Sequence, residues 1–262
     1  MNTSLVIARN TISEALRKKV LNAFLMVGFA MLVLTFAFQQ FAPRQELTLV
    51  KGMGLGIISM AALLITVILS INLIPTEIER RTIYTILSKP VRRPEFLLGK
   101  YFGAASTIFI NVGLMGLAFV IAIALKQRGA EGLFGPLNML KGVLMIYMQM
   151  ALLSALAIFF STFLSPLVNF FLTFSMFIVG NLSSFTLDLA KNTQNVLAKG
   201  FFTAVHYLVP NFGNFNYTNP LVQANVQVKS EAVLLTQNCI YAVVYATVLL
   251  ILSILVFDRR EV

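Results

Sequence analysis

The hydrophobic residues of this chain are grouped in long runs instead of alternating with polar ones. Runs without a charged residue lie within residues 20–43, 52–76 and 101–125, and another occupies residues 239–257 near the end of the chain. A helix needs about 20 mainly apolar residues to cross a hydrocarbon core of about 30 Å. Each run is therefore predicted to form one membrane-spanning helix.

A further run is too long for a single span. Residues 142–187 contain no Asp, Glu, Lys, Arg or His, and as one helix at 1.5 Å per residue they would extend about 69 Å. The break is predicted near Ser165 and Pro166, because proline removes a backbone donor and strains the preceding turn. Six spans result, at about 20–42, 52–74, 101–125, 142–163, 167–185 and 239–257.

Composition supports the same class of protein. Of the 262 residues 58% are hydrophobic and 11% charged, whereas a soluble domain carries about 25% charged residues. A water-soluble globule is excluded, and residues 1–262 are expected to form one all-α transmembrane domain. The net charge of +10 is interpreted as basic cytoplasmic loops and not as nucleic-acid binding, because the chain has no basic, aromatic-rich soluble module.

The basic residues are concentrated on one side of this six-span bundle. Both termini share a side with the loop at residues 75–100, and this side carries twelve of the twenty Lys and Arg residues. Its basic density is about twice that of the other side, which the positive-inside rule assigns to the cytoplasm. Both termini are therefore predicted to be cytoplasmic in a multi-pass protein of the bacterial cell membrane, with the first run as a retained anchor.

The first 19 residues form a lead of helical periodicity. Its recurring positions are Leu5, Ala8, Ile12, Ala15, Leu16 and Lys19. Such a helix is expected to lie along the inner membrane surface. The alternative is a basic lead that is merely solvated.

The six predicted spans carry no residue for ion coupling or covalent chemistry. Proton- or sodium-coupled carriers need charged side chains inside the membrane, and His206, the single histidine, lies in an outer loop. One cysteine, Cys239, excludes an internal disulfide. We therefore expect no catalytic residue, cofactor or metal in this chain. The polar residues in the spans, expected to hydrogen-bond between helices, are Ser59, Thr66, Ser70, Asn72, Asn111, Gln149, Asn169, Ser175 and Asn181.

Three methionines in the fourth span allow a second interpretation. Met145, Met148 and Met150 lie close together in the sequence, and thioethers are suitable ligands for copper. Filling irregular gaps in a core is the commoner use of methionine. Packing is the expected role, with copper binding as the alternative.

The loop at residues 75–100 is the most highly charged part of the chain. Ile83, Ile86 and Leu87 share one face of a short helix, whose start is favoured by two preceding glutamates through the helix dipole. Pro94, followed by a glutamate, restarts a helix that continues into the third span. A rigid hairpin of this kind can push on the spans beside it.

The segment Glu79–Tyr101 reads ERRTIYTILSKPVRRPEFLLGKY, and the layout around it is also distinctive. It resembles the signature loop of type-2 ABC transporter permeases. The amphipathic start, the six spans, the long outer loop and the C-terminal FDRRE extend this resemblance over nearly the whole chain. Within the family the chain is most similar to the branch labelled multicopper-enzyme maturation permeases.

The resemblance implies a non-catalytic subunit that receives its energy from elsewhere. The chain has no GxxxxGK[ST] loop, so two copies of a separate cytoplasmic ATPase, which bind ATP and Mg, would drive a permease homodimer or a pair of close paralogues. In the family the short helix is a coupling helix seated in a groove of the ATPase. The residues implied here are Glu79, Arg80, Arg81, Thr82, Ile83, Ile86, Leu87, Lys89, Arg92 and Arg93. Either Glu77 or Glu79 matches the acidic position of the family; the alternative for the loop is a positive-inside anchor without a partner.

The outer region at residues 186–238 is predicted to contain short helices. Residues 187–199 form an amphipathic helix ended by Gly200, and residues 201–209, too short to cross, dip into or lie on the membrane. In relatives this region closes the exit, which makes it a gate or a docking site for an outer partner protein, or else a lid over helix ends. The candidate gate residues are Phe201, Phe202, His206, Tyr207, Pro210 and Phe212.

The function expected from these features is ATP-driven export of a hydrophobic or amphipathic substrate across the lipid bilayer. Two alternatives remain open from the sequence. One is a mechanical or signalling module that acts on an outer partner without transporting cargo. The other is a channel or structural membrane protein without a partner.

Overall fold

A computed structural model describes residues 3–38, 46–75, 77, 92–126, 137, 139–193, 195–216 and 231–258. The helices within these residues are α1 (Thr3–Arg17), α2 (Lys19–Phe38), α3 (Glu46–Ile71), α4 (Arg93–Lys126), α5 (Met139–Ser161), α6 (Pro166–Asn181), α7 (Ser183–Asn192), α8 (Val196–Leu208) and α9 (Glu231–Asp258), with a 3-10 turn at Phe212–Phe215. No strand occurs in the described residues. The all-α prediction is confirmed, and the chain is a polytopic membrane protein.

The number of spans depends on how two bent helix pairs are counted. Over the described ranges four helices are long and apolar enough to cross a membrane, namely α3, α4, α5 and α9. Helices α1 and α2 meet at 64°, and α6 and α7 meet at 70°. Counting each bent pair as one span gives six, the number that the apolar runs predict.

Helix α5 is the centre of the bundle. It is buried on all sides along most of its length, and α3, α4, α6 and α9 all pack against it. A helix that is hydrophobic all round belongs inside a protein. The hydropathy of α5 does not set it apart from the other spans, so only packing reveals its position.

The hairpin between α5 and α6 is where the proline predicts it. Helix α5 ends at Ser161, and Pro166 is the first residue of α6. The preceding Ser165 is extended, with ψ of 154°, because proline disfavours a helical conformation in the residue before it. The side-chain amide of Asn169 donates a 2.9 Å hydrogen bond to the backbone carbonyl of Ala157, which links α6 to α5 beside the turn.

The outer helices differ from the prediction. Instead of one helix over residues 187–199 ended by Gly200, α7 ends at Asn192 and α8 begins at Val196 and continues through Gly200. The reason is a side-chain cap: the Asn195 carbonyl oxygen accepts a hydrogen bond from the amide of Leu197 at 3.0 Å, which starts a new helix. Helix α8 ends at Leu208, one residue further from Pro210 than expected.

The lead helix α1 packs on α4 with only part of the expected apolar face. Leu5 and Leu16 are 66% and 41% exposed, whereas Ala8, Thr11 and Ala15 are buried, with α4 as the main neighbour of α1. Small side chains let the two helix axes approach closely, which the larger leucines would prevent. The positions of α1 that contact α4 therefore require small side chains, and hydrophobicity alone does not decide which residues are buried there.

The helices of the bundle meet at two opposite ends, the junction end and the far end. At the junction end α4 begins and α9 finishes, because Arg93 lies beside Asp258. At the far end α5 begins and α6 finishes.

Candidate coupling junction and outer segment

Most residues implied in ATPase contact lie outside the described residues. They are Glu79, Arg80, Arg81, Thr82, Ile83, Ile86, Leu87 and Lys89. Arg92, Arg93 and the alternative acid Glu77 are described. The structure therefore defines the base of the coupling loop, where it joins the spans.

The two ends of the loop are linked by a buried ion pair. The ammonium of Lys100 donates to a carboxylate oxygen of Glu77 at 2.7 Å, and the two side chains are 4% and 16% exposed. Burying both charges costs desolvation energy, and an accurate geometry is needed to offset it. Glu77 is thus engaged within the chain, on a lysine that the sequence analysis treated only as a basic loop residue.

Aromatic rings extend this contact to the last helix. The Lys100 ammonium lies 5.7 Å from the ring centroid of Phe96, and Phe96 stacks on Phe257 with centroids 6.3 Å apart. Both rings are 1% exposed. The ion pair is therefore covered by apolar surface that joins α4 to α9.

Arg93 closes the end of α9. Its guanidinium donates to the carbonyl oxygens of Phe257 and Asp258 at 3.0 and 3.1 Å. The last carbonyls of a helix lack partners in the helix and carry its negative dipole, so a cation is favoured there. Arg93, assigned to the ATPase by resemblance, is used within this chain, whereas Arg92 is exposed.

The lead helix packs on the same part of α4. A Cβ atom added at Gly99 would lie 2.8 Å from Cβ of Ile7, and one added at Gly103 would lie 2.6 Å from Cβ of Thr11. Glycine is required at both positions for this approach. We use the name coupling junction for Glu77, Arg93, Phe96, Lys100 and Phe257 together with the α1 face on α4.

The six candidate gate residues do not form one cluster. Phe212 is fully buried and Pro210 is buried, whereas Phe201 and Tyr207 are 65% and 76% exposed. Phe202 and His206 are intermediate. The set divides into a buried anchor, at the 3-10 turn, and an outward-facing helix, α8.

The 3-10 turn is bonded to the centre of the bundle. The amide of Gln149 donates to the carbonyl of Phe212 and to the side-chain oxygen of Asn181, both at 3.2 Å. Gly180 lies against Pro210 and Phe212, and an added Cβ would be 2.5 Å from the Phe212 ring. Sequence analysis singled out Gln149 and Asn181 as residues that bond between helices, but not the Phe212 carbonyl that Gln149 also contacts.

We use the name outer segment for residues 196–215, which comprise α8 and the 3-10 turn. Helix α9 contacts this segment from the side opposite to α5. The Tyr241 hydroxyl accepts a hydrogen bond from the backbone N–H of Asn211 at 2.9 Å. The Tyr245 hydroxyl donates to the backbone carbonyl of Leu208, also at 2.9 Å. His206 Nδ1 lies 3.0 Å from the hydroxyl of Ser183. The outer segment is thus tied to α5, α6, α7 and α9, and the two tyrosines, one helical turn apart, are the residues that sequence analysis missed.

The other polar residues predicted to bond between helices divide into two groups. Ser70 contacts Ser154 across α3 and α5 at 3.0 Å, as Asn169 contacts Ala157. The amides of Asn72 and Asn111 instead donate to carbonyls four residues earlier in their own helices. The hydroxyl of Thr66, another member of the predicted set, is buried without a hydrogen-bond partner.

The three methionines of the copper alternative, Met145, Met148 and Met150, lie in or against the central packing cluster. The described part of the chain contains no group of three His, Cys, Asp or Glu side chains placed to hold a metal. Met145 and Met150 are fully buried in the α5 core. Both belong to the central packing cluster, which fits the filling role expected of methionine.

The comparison with known proteins agrees with this architecture. None of the curated proteins matches the sequence. A family model described as an ABC-2 family transporter protein matches residues 5–262, which is nearly the whole chain. The chain therefore belongs to the ABC-2 family of transporter proteins, as the permease subunit of an ABC transporter.

Proposed function

We propose that this permease works as a dimer with two cytoplasmic ATPase subunits and exports a hydrophobic or amphipathic substrate. Family membership implies a partner ATPase. The observation that supports coupling through residues 75–100 is the junction, where the loop base is bonded to α9 and, through α4, packed on α1. Displacement of the loop would move these helices together.

Helix α4 is suited to carry such a movement. It is continuous from Arg93 to Lys126, and its 34 residues correspond to about 51 Å at 1.5 Å per residue. This exceeds the membrane core of about 30 Å, so the helix joins the junction to the far end without a break. A push on its first turn is transmitted along the whole span.

The junction also assigns separate roles to the charged residues of the loop. Glu77 and Arg93 are engaged inside the permease. We therefore assign contact with the ATPase to Glu79, Arg80, Arg81 and the exposed Arg92, and assign Glu77 to holding the loop base.

Replacement of Arg80 and Arg81 by Glu tests the contact. We expect the permease to fold normally and to lose co-purification with its partner ATPase, because two cations become anions at the interface. The matched control is Lys191→Glu with Lys199→Glu, two exposed lysines of α7 and α8. ATPase association that survives the arginine changes and equals the control would contradict the assignment.

Export itself is tested in vesicles that contain the purified complex. We expect ATP-dependent movement of a fluorescent amphipathic probe and stimulation of ATP hydrolysis by the probe. Apart from Lys100 at the junction, the buried residues of the described spans are apolar or uncharged, which supports such a cargo. Hydrolysis without any movement or stimulation would contradict export.

A mechanical function is the second candidate, and the outer segment supports it. The segment is hydrogen-bonded to three helices, α5, α7 and α9, so rearrangement of the spans would displace it. Helix α8 presents Leu197, Phe201 and Leu208 at 84%, 65% and 74% exposure, an apolar stripe that an outer partner could recognise. ATP-dependent protection of residues 196–208 from protease, in the absence of cargo, would favour this function over export.

A further inference from the structure

Helix α8 exposes an apolar stripe although it is too short to cross a membrane. Its 13 residues extend about 20 Å at 1.5 Å per residue. The exposed stripe consists of four apolar residues at helical spacing, Leu197, Phe201, Ala204 and Leu208. The polar residues of the helix lie on the opposite side and are Lys199, Thr203 and His206. What surrounds the stripe therefore depends on how deep α8 lies.

Helix α9 gives one measure of that depth. Its charge-free apolar run at residues 239–257 is about 28 Å long, which matches a hydrocarbon core of about 30 Å. Tyr245 lies inside this run, at a rise of about 9 Å from Cys239. Its hydroxyl donates to the carbonyl of Leu208 at 2.9 Å. The last turn of α8 is therefore bonded to α9 inside the far-end boundary of the apolar run.

Helix α5 gives a second, independent measure. Its charge-free run begins at Gly142, and Gln149 lies about 10 Å further along the helix. The Gln149 amide donates to the carbonyl of Phe212 at 3.2 Å. Side chains lean towards the start of a helix, so each contact lies somewhat nearer the boundary than the backbone that supports it. The two contacts together place the end of α8 about one helical turn, 5.4 Å, or more inside the apolar zone.

Helix α6 ends at the same level. Its 16 residues extend about 24 Å, less than the hydrocarbon core, and its last residue Asn181 accepts a hydrogen bond from Gln149. Helix α7 then turns away by 70°. The Ser183 hydroxyl at the start of α7 lies 3.0 Å from Nδ1 of His206 in α8. The bend after α6 and the last turn of α8 are therefore attached to each other within the apolar zone.

The division between exposed and buried backbone agrees with this depth. In hydrocarbon an exposed segment must satisfy its own backbone polar groups, which a helix does and an irregular turn does not. The helical residues Tyr207 and Leu208 are exposed, whereas Val209 and Phe212, which follow the end of the helix, are 8% and 0% exposed. The chain thus enters the bundle at the point where it is no longer helical.

We propose that the C-terminal half of α8 is embedded in the bilayer leaflet at the far end of the bundle, with Phe201, Ala204 and Leu208 against phospholipid acyl chains. Among the sequence-based alternatives for residues 201–209, this selects insertion into the membrane over a surface position. The partner of the stripe is then lipid and not a protein in water. The proposal depends only on the spanning helices, so it is tested separately from the ATPase and from transport.

The depth of α8 is measured with a nitroxide label on the full chain in vesicles of phosphatidylethanolamine and phosphatidylglycerol. Cys239→Ala removes the native thiol, and single cysteines are introduced as Phe201→Cys and Leu208→Cys. Collisions of the label with oxygen, which concentrates in hydrocarbon, are compared with collisions with a water-soluble nickel chelate. Val244→Cys is the lipid-facing control, because Val244 is 58% exposed in α9 and lies about 8 Å into its apolar run. Lys191→Cys, at an exposed position of α7, is the control for water.

We expect oxygen to relax both α8 labels more strongly than nickel does, as at Val244, and nickel to dominate at Lys191. The depth found for Leu208 should lie within about one helical turn, 5.4 Å, of the Val244 control. Dominance of nickel at either α8 position would overturn the proposal, because the stripe would then face water and any partner there. Low access of both reagents would also overturn it, because protein, such as a second copy of the chain, would then cover the stripe.

Discussion

At the scale of single residues, the buried pair of Glu77 and Lys100 has the clearest energetic consequence. The two charges are 2.7 Å apart and nearly inaccessible to water. A second ion pair, Glu14 with Lys18 at 3.3 Å, is 41% and 36% exposed. The chain thus contains a buried pair and an exposed one, and the physical expectation differs for each.

Lys100→Met is expected to destabilise the protein by about 3 kcal/mol, because it leaves the Glu77 carboxylate buried without its cation. The double variant Glu77→Gln, Lys100→Met should recover part of this loss. Lys18→Met, which breaks the exposed pair, should cost below about 1 kcal/mol. Unfolding in detergent, followed by the rise in reactivity of the half-buried Cys239 towards a thiol reagent, measures the series. Equal losses for Lys100→Met and Lys18→Met would contradict the buried pair.

Gly180 and Gly200 show how the same residue type has opposite roles. Gly180 lies against Pro210 and Phe212, whereas the position of a Cβ at Gly200 is open. Sequence analysis placed Gly200 at the end of a helix, but it lies inside α8. Substitution of Gly200 therefore tests whether this residue lies within α8 or ends a helix.

Gly200→Ala should stabilise α8 by about 1 kcal/mol, because alanine has the higher helix propensity and meets no neighbour. Gly180→Ala should destabilise the protein by about 2 kcal/mol, because the added methyl group overpacks the contact with the 3-10 turn. Limited proteolysis of the outer segment reports both effects. Faster cleavage in Gly200→Ala would show that the residue ends a helix after all.

At the scale of helices, the contact between α1 and α4 depends on two glycines. An amphipathic lead is expected to lie on the membrane surface, but Ala8, Thr11 and Ala15 are buried in a helix whose main neighbour is α4. Leu5 and Leu16 remain exposed and are available to the membrane. The helix therefore has one face for protein and another for lipid.

Gly103→Leu is expected to displace α1, because Cβ of Thr11 lies 2.6 Å from the added Cβ. The control is Gly113→Leu in the same helix, where the added side chain meets open space. Protease should cleave within residues 3–17 in the first variant and leave the second intact, with a loss of about 2 kcal/mol in stability only in the first. Equal protection in the two variants would contradict the packing of α1 on α4.

At the scale of the whole molecule, the bundle is arranged around α5 and is tied at both ends. At the junction end, α4 is bonded to the loop base and α9; at the far end, the 3-10 turn is bonded to α5 and α9. Helix α9 takes part in the contacts at both ends of the bundle. In the proposed function, a movement at the junction would reach the outer segment through α4 and α9, which suits either export or a mechanical role.

The sequence by itself determined the helical class, the positions of the apolar runs and the break before Pro166. These properties depend on local sums of hydropathy and on the covalent geometry of proline, so neighbours in the chain are enough. The family resemblance in residues 79–101 was equally local and is confirmed by the family match. The assignment of individual loop residues to the ATPase stays a prediction, as does the branch within the family.

Only the tertiary structure decided which charges pair and which helix is central. Glu77 and Lys100 are 23 residues apart, and Arg93 is 164 residues from Phe257. Partners at such separations are set by the rotation and depth of each helix in the bundle, which hydropathy does not encode because every span is apolar on most sides. For the same reason the family resemblance assigned Arg93 to contact with the ATPase, whereas in the folded chain Arg93 donates to the last carbonyl oxygens of α9.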